Sequence, residues 1–404
     1  MSRPVSRSQA TATGGTTIGF LNAPPPAGTT ADMILTDPAT GDYEIYDIGN
    51  NTVLASDFLT SIAPPSQVVA LGNFSGADTS DMAVRNGGSF QYDDVADNNI
   101  TQTGVMGPVG TEFSVVGQGK FDSFGNTSLM MEKASGGVDT YDAFLVEDNQ
   151  FVGANQIAAV GSDWQTIGFG DVNGDGTTDM VTRNVNNGAL EYYDIVNGQQ
   201  SSFGVLGVVG TEWQPVGFGN FDNSGFSDLI MRYSNNDAYD LFDIRNNQIV
   251  GAHQIAAVGS EWQLAGFADL NGDGTDDMVL RNSNDGTFEY YDIANGQVTA
   301  AVVLTQVSTQ WNVVGLTADP PTTSGAMAAN AGGPSSAGAD TWLTQTMQTG
   351  GWLVGVGLGS NVGSLTDPLP AAGTGLAFGS ADPLGSESQS MSPWLAQGPL
   401  QHHT

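Results

Sequence analysis

Residues 164–210 read WQTIGFGDVNGDGTTDMVTRNVNNGALEYYDIVNGQQSSFGVLGVVG. Four runs in this stretch are rich in β-branched and aromatic residues: WQTIGF, DMVTRN, ALEYYDI and SSFGVLGVVG. The breaks between the last three, VNNG and VNG, are of the Asn-Gly type that supplies the positive φ angles of tight hairpins. The first break is longer and acidic. No helical period occurs in it. Four antiparallel strands in ~50 residues is the size of one propeller blade.

The unit repeats. Trp164, Trp213, Trp262 and Trp311 stand in three equal steps of 49 residues (164 to 213, 213 to 262, 262 to 311). Upstream, with small adjustments, Phe113, Ser66 and Gly15 hold the same phase. The expected fold is therefore all-β: a β-propeller of four-stranded antiparallel blades spanning 15–365, with repeats starting near 15, 66, 113, 164, 213, 262 and 311. A stack of independent hairpins is the competing architecture. The segment DTWLTQTMQTGGWLVGVGLGSNVGSL (340–365) reads strand, turn, strand, turn, strand, and completes a seventh blade begun by WNVVGL at 311. Seven blades are the favoured count; six is the alternative, with WNVVGL latching onto the first blade. Residues 1–14 are expected to be a disordered N-terminal tail. Residues 366–404, rich in Gly, Pro, Ala and Ser and free of Lys and Arg, read as a flexible C-terminal one. Fourth-strand segments alternate between FGVLGVVGTE-like and QIAAVGSE-like forms, the trace of a duplicated two-blade module.

Composition narrows the function. Forty-three acidic residues against nine basic ones give a net charge of −34. That balance speaks against nucleic-acid binding through phosphate neutralisation and against docking on anionic membranes. It suits hard cations, which prefer oxygen ligands. With no cysteine, thiolate catalysis, disulfides and Cys-ligated zinc are excluded. No run of ~18 apolar residues offers a membrane span. The opening MSRPVSRSQATATGG has two arginines and no apolar core of a Sec signal, so an exported chain would use another route.

The acidic breaks carry the sharpest chemistry. In DVNGDGTTD (171–179), Asp171, Asn173 and Asp175 alternate so as to face one centre. Gly176 permits the sharp turn, Thr177 offers its carbonyl, and Asp179 closes an oxygen shell suited to Ca²⁺. DLNGDGTDD (269–277) repeats the set as Asp269, Asn271, Asp273, Thr275 and Asp277. An EF-hand is not indicated, because its position twelve would be Thr182 and both flanks read as strands. The other loops are depleted. Asn220, Asp222, Ser224 and Asp228 keep oxygens with fewer charges, a weak or vestigial metal site. Asn73, Ser75, Ala77 and Asp81 lack one ligand, and Lys120 opens the third loop with a positive charge.

FGDVNGDGTTDMV and FADLNGDGTDDMV, in blades beginning W-x-x-x-G-F, resemble the FG-GAP/VCBS repeats and the calcium loops of integrin α-subunit propellers. The resemblance covers about 350 residues as repeats, with the full ligand set present twice. It implies calcium ligation by 171, 173, 175, 179 and by 269, 271, 273, 277, and a role in adhesion or recognition.

Other repeated residues suggest packing or binding. Arg85, Arg183, Arg232 and Arg281 share one second-strand position, and pairs of Arg183 with Glu191 and of Arg281 with Glu289 are expected across the hairpin. The tryptophans are expected between blades. Tyr192/Tyr193 and Tyr290/Tyr291 alternate faces, so one of each pair should be exposed and available to a sugar ring. With three histidines and neither a Gly-x-Ser-x-Gly elbow nor a phosphate loop, no catalytic residue is nominated. The resulting expectation is a non-catalytic, calcium-stabilised binding module, secreted or at a bacterial cell surface. It would be exported without a Sec peptide, by a type I-like route. Its partner would be a glycan or a protein. A polysaccharide-degrading hydrolase or lyase, and a structural surface-layer or matrix protein, are the alternatives.

Overall fold

The computed structural model describes residues 21–76 and 80–318, all strand, turn or loop. Twenty-four strands form six four-stranded antiparallel sheets arranged as the blades of a six-bladed propeller. The fourth blade shows the plan: Trp164–Gly170, Asp179–Asn184, Ala189–Val196 and Gln199–Val208, each paired to the next. Blades two, three, five and six repeat it over 67–108, 114–161, 213–257 and 262–306.

The first blade is built from both ends of the described chain. Asn312–Ala318 pairs antiparallel with Ala31–Asp37, which is followed by Asp42–Gly49 and Thr52–Ser61. WNVVGL thus supplies the innermost strand of blade one and closes the ring at six. The favoured count of seven is corrected by this pairing, since the strand assigned to a seventh blade completes the first. The run 340–365 and both tails, 1–14 and 366–404, lie outside the described residues.

Turn chemistry follows the sequence. Every hairpin between third and fourth strands turns on two left-handed residues: Asn50-Asn51, Asp97-Asn98, Asp148-Asn149, Asn197-Gly198, Asn246-Asn247 and Asn295-Gly296. Asn, Asp and Gly tolerate that region, and two such residues in succession make the turn whose twist matches the strands.

The core lies between blades. Apolar clusters join blades one and two, two and three, three through six, and six and one. The Gly-Phe of W-x-x-x-G-F explains part of this. A Cβ on Gly168 would sit 2.6 Å from the Phe218 ring of the next blade, and one on Gly217 would sit 2.7 Å from Phe267. In blades three, four and five the inner strand thins itself at Gly117, Gly168 and Gly217 so that the neighbour's phenylalanine can lie against its backbone.

Candidate metal centres in the acidic loops

In blades two to six the first-to-second-strand loops and the third-to-fourth-strand turns open on one face of the ring, and loops reach their neighbours there. The residue just before the second strand returns to the first loop residue of the preceding blade: Thr178 N donates to Lys120 O (2.8 Å), Ser227 N to Asp171 O (2.7 Å), Asp276 N to Asn220 O (2.8 Å). Their side chains accept in exchange, Lys120 N on Thr178 Oγ1, Asp171 N on Ser227 Oγ and Asn220 N on Asp276 Oδ2. The following turn adds another bond, as in Asn247 N to Val172 O (2.9 Å) and Gly296 N to Phe221 O (2.8 Å). This stitching was missed in the sequence, although a Thr, Ser or Asp precedes the second-strand Asp or Ser in blades two to six.

Within the fourth blade's loop, hydrogen bonds hold Asp171, Asn173 and Asp175 together, while among the described residues its three aspartates do not bring oxygens within 4.8 Å of one another. Asp171 Oδ1 accepts from Gly174 N (2.6 Å) and Asp175 N (3.1 Å), and its Oδ2 from Gly176 N (2.7 Å). Asn173 Oδ1 accepts from Asp175 N, and Asn173 Nδ2 donates to Asp175 Oδ2. Gly174 and Gly176 both adopt positive φ, which lets the chain curl back on Asp171. Thr177 ties the loop to the third strand through its hydroxyl, which donates to Ile195 O at 2.7 Å. Asp179 bridges two elements: Oδ2 accepts from Val172 N in the loop, Oδ1 from Ile195 N in the third strand. The sixth blade repeats these bonds around Asp269, Asn271, Asp273, Thr275 and Asp277.

The electrostatics of the two loops are unbalanced. Asp179 and Asp277 have no exposed surface. Burial pushes the Asp179 carboxyl well above the usual carboxylate range; the Ile195 N–H opposes this, and Asp194, Asp171 and Asp175 add to it. Asp277 is raised to about 8, again by burial first and by Asp292 and Asp273 among the lesser causes. Among the described residues no Lys, Arg or His forms an ion pair with Asp171, Asp175, Asp179, Asp269, Asp273 or Asp277. Both oxygens of Asp179 and Asp277 keep a second lone pair beyond the one N–H bond each accepts, whereas Asp171 Oδ1 and Asp269 Oδ1 already accept two N–H bonds apiece. A hard divalent cation fits this donor set, because it would neutralise buried charge that the chain leaves uncompensated.

The remaining loops solve the same problem differently. In blade five Arg245 donates to both Asp222 and Asp228, so two of the four residues read as a weak metal site hold a guanidinium. In blade three Ser128 takes the place of the last aspartate and accepts from Val146 N at 3.1 Å. In blade two Asp81 accepts from Phe74 N, Ser75 N and Val95 N; Ala77 lies outside the described residues.

The opposite face holds the arginines. Register places Arg183 opposite Leu190 and Arg281 opposite Phe288, so the expected pairs with Glu191 and Glu289 do not form. Arg183 instead donates to the carbonyls of Trp213, Val209 and Gly210, and Arg281 to those of Trp311, Val307 and Ser308. These carbonyls belong to the connection entering the next blade, which the guanidinium fork holds in place. Arg85, Arg232 and Arg281 also lie over Phe90, Tyr239 and Phe288 at 5.1–5.2 Å. The tryptophans pack against the apolar clusters that join blades, and within blade five Trp213 lies 4.9 Å from Tyr233 and 5.7 Å from Phe242.

The tyrosine pairs depart from expectation. Tyr193 is 7% exposed, Tyr290 7% and Tyr291 8%, and Tyr192 is half-buried. A blade inside a propeller has neighbours on both faces, so alternation along its third strand does not send every second residue to solvent. Tyr193 and Tyr291 spend their hydroxyls on Glu191 and Glu289, each at 3.4 Å.

No protein-family model and no curated protein matches the chain. Among solved structures, the Tc holotoxin pore of Photorhabdus luminescens is 15% identical over 65% of this chain and 13% of its own, with a TM-score of 0.44. A quinonprotein alcohol dehydrogenase-like protein from Bacteroides thetaiotaomicron is 11% identical over 76% of this chain and 70% of its own, at 0.37. A rhamnogalacturonan lyase is 11% identical over 70% of this chain and 76% of its own, at 0.29.

Proposed function

We propose that this chain is a calcium-stabilised propeller of the FG-GAP/VCBS type that works outside the cell as a non-catalytic binding module. One observation carries the metal reading. In blades four and six, an oxygen-rich loop encloses a wholly buried aspartate whose charge no side chain of the described protein offsets. Asp171, Asn173, Asp175, Asp179 and the Thr177 carbonyl would hold one ion; Asp269, Asn271, Asp273, Asp277 and the Thr275 carbonyl would hold the other. The ion would supply charge neutralisation at a seam and no bond-making chemistry. The test is calorimetric titration with calcium after chelation. Two ions per chain, falling to one in Asp175→Ala or Asp273→Ala, is the expected result. Zero ions in the wild type defeats the reading.

For the partner, a protein is favoured over a glycan. The tyrosines suited to sugar stacking are largely buried, whereas the outer strand of blade four leaves Phe203, Val205 and Val208 more than half exposed. A glycan array checked for both binding and reducing-end release separates the classes. Binding without release supports a lectin-like module, and release moves the protein to a hydrolase or lyase. Silence on the array leaves the protein-binding module.

A further inference from the structure

The fifth blade departs from its neighbours at one position. Where its third strand, Ala238–Arg245, ends in Arg245, the other five blades place Gly49, Ala96, Glu147, Val196 and Ala294. The guanidinium turns back beneath the blade's own acidic loop. Nη1 donates to Asp228 Oδ1 at 2.8 Å and to Ile244 O, and Nη2 donates to Asp222. The Phe226 ring covers it, with its centroid 5.4 Å from the guanidinium carbon. One oxygen each from Asp222, Asp228 and Asp243 lies within 4.8 Å of the others, a three-carboxylate cage around a single spot. A second feature points the same way. In blades four and six, Oδ2 of the last aspartate accepts the loop N–H of Val172 or Leu270. The corresponding Asp228 Oδ2 is buried with no hydrogen-bond partner among the described residues.

We propose that the loop of blade five is a cation site filled by the chain itself: the Arg245 guanidinium takes the place of a divalent ion, and its removal opens a site for a hard divalent cation built from Asp222, Asp228 and Asp243. A guanidinium carries one charge and donates in a planar fork, so it satisfies two carboxylates by direct bonds. It does not fill the coordination sphere that three carboxylates and the idle Asp228 oxygen would offer an ion of about 2.4 Å bond length. The consequence is a seam, between blades five and six, whose integrity is independent of external metal. The comparison with blades four and six rests on the calcium reading of their loops; the geometry of blade five does not.

Calcium titration of the full chain against Arg245→Ala tests this. The variant should bind one ion more than the wild type, whether the wild type binds two or none. Equal stoichiometry overturns the proposal. Should Arg245→Ala fail to fold, Arg245→Gln removes the charge with less loss of volume and is held to the same count. Hydrogen exchange on the wild type gives an answer without any variant. The Ile244 amide, which donates to Asp228 Oδ1 at 2.8 Å, should keep its protection when calcium is chelated. A tenfold loss of its protection overturns the proposal. The Ile195 and Ile293 amides report on blades four and six in the same experiment, so failure of the calcium reading shows there separately.

Discussion

The loops of blades four and five share a backbone and differ in what neutralises them. Both close on a fully buried aspartate, Asp179 or Asp228, whose Oδ1 accepts the N–H of an isoleucine in the third strand. In blade four the loop adds Asp171 and Asp175 and the third strand ends in Val196, which offers no charge. In blade five the loop has Asn220 and Ser224 at those places and the strand ends in Arg245. The buried carboxylate is therefore the architectural part of the motif. On the proposed calcium reading the cation is the interchangeable part, external in blade four and covalently attached in blade five. Burial lifts Asp228 to about 7, with the Ile244 N–H and Arg245 pulling it down, whereas nothing cationic opposes the rise of Asp179.

The shared part predicts the largest effect. Asp179→Ala and Asp228→Ala each strand buried N–H groups, at about 1–3 kcal/mol apiece. Asp179→Ala leaves two such donors, Val172 N and Ile195 N, and Asp228→Ala leaves Ile244 N with the Arg245 cation. The unfolding free energy from urea titration should fall by several kcal/mol in both, with or without calcium. A neutral outcome in either would remove the aspartate from its bridging role.

Chelation comes next and should divide the two blades. An ion bound only by the folded state contributes about 2.7 kcal/mol at a hundredfold excess over its dissociation constant. Melting temperature should drop by several degrees in chelator, with protection lost around Ile195 and Ile293 and kept at Ile244. The pH dependence of the calcium-free chain has a definite sign. Asp277 has a folded pKa of about 8 against an ordinary value of 3.8, so the folded state binds the proton more tightly than the unfolded one. Its contribution is complete below pH ~4 and lost as pH rises toward ~8. Chelated protein should thus be less stable at pH 8 than at pH 5. Calcium should abolish or reverse the difference, since the ion requires the carboxylate that the proton would neutralise. Thermal melts at both pH values, with and without calcium, measure it.

Arg183→Lys offers a control on the face away from the loops. A lysine cannot reproduce a fork that binds the carbonyls of Val209, Gly210 and Trp213 together. Loss of hydrogen bonds from a charged donor predicts about 1.5–3 kcal/mol. Calcium should leave that value unchanged; a calcium-dependent loss would couple the two faces.

Much of this was legible in the sequence, and the failures have physical causes. The 49-residue step and the Asn-Gly turns revealed the blades, because both are local. The number of blades was not local. It depends on Asn312–Ala318 pairing with Ala31–Asp37 across almost the whole described chain. The tyrosines were misplaced because two-face alternation assumes one wet face, which a blade between neighbours lacks. The arginines were given the wrong partner by a single residue of register: Thr182, not Arg183, lies opposite Glu191. Arg245 was overlooked because one basic residue at one of six equivalent positions breaks a repeat without announcing a contact. Its meaning emerges only when the third strand is folded under the loop.

The smallest expected effect gives the sharpest test of the difference between the loops. Asn173, half-buried, and Ser224, exposed, stand at neighbouring ligand positions of the two loops, Asn173 aligning with Asp222 and Ser224 with Asp175. Asn173 Oδ1 accepts from Asp175 N at 2.8 Å, and Ser224 Oγ accepts from Phe226 N at 3.3 Å. Solvent can replace either bond, so in chelator Asn173→Ala and Ser224→Ala should each cost no more than about 0.5 kcal/mol. Calcium should separate them. Asn173→Ala removes an oxygen from the proposed shell of blade four, and its cost should grow with calcium concentration as the wild type gains binding energy that the variant forgoes. Ser224→Ala touches a loop whose cation is already part of the chain, and its cost should stay flat. Parallel curves for the two variants would mean that calcium does not distinguish the loops, and the contrast between an external and a built-in cation would fall with that result.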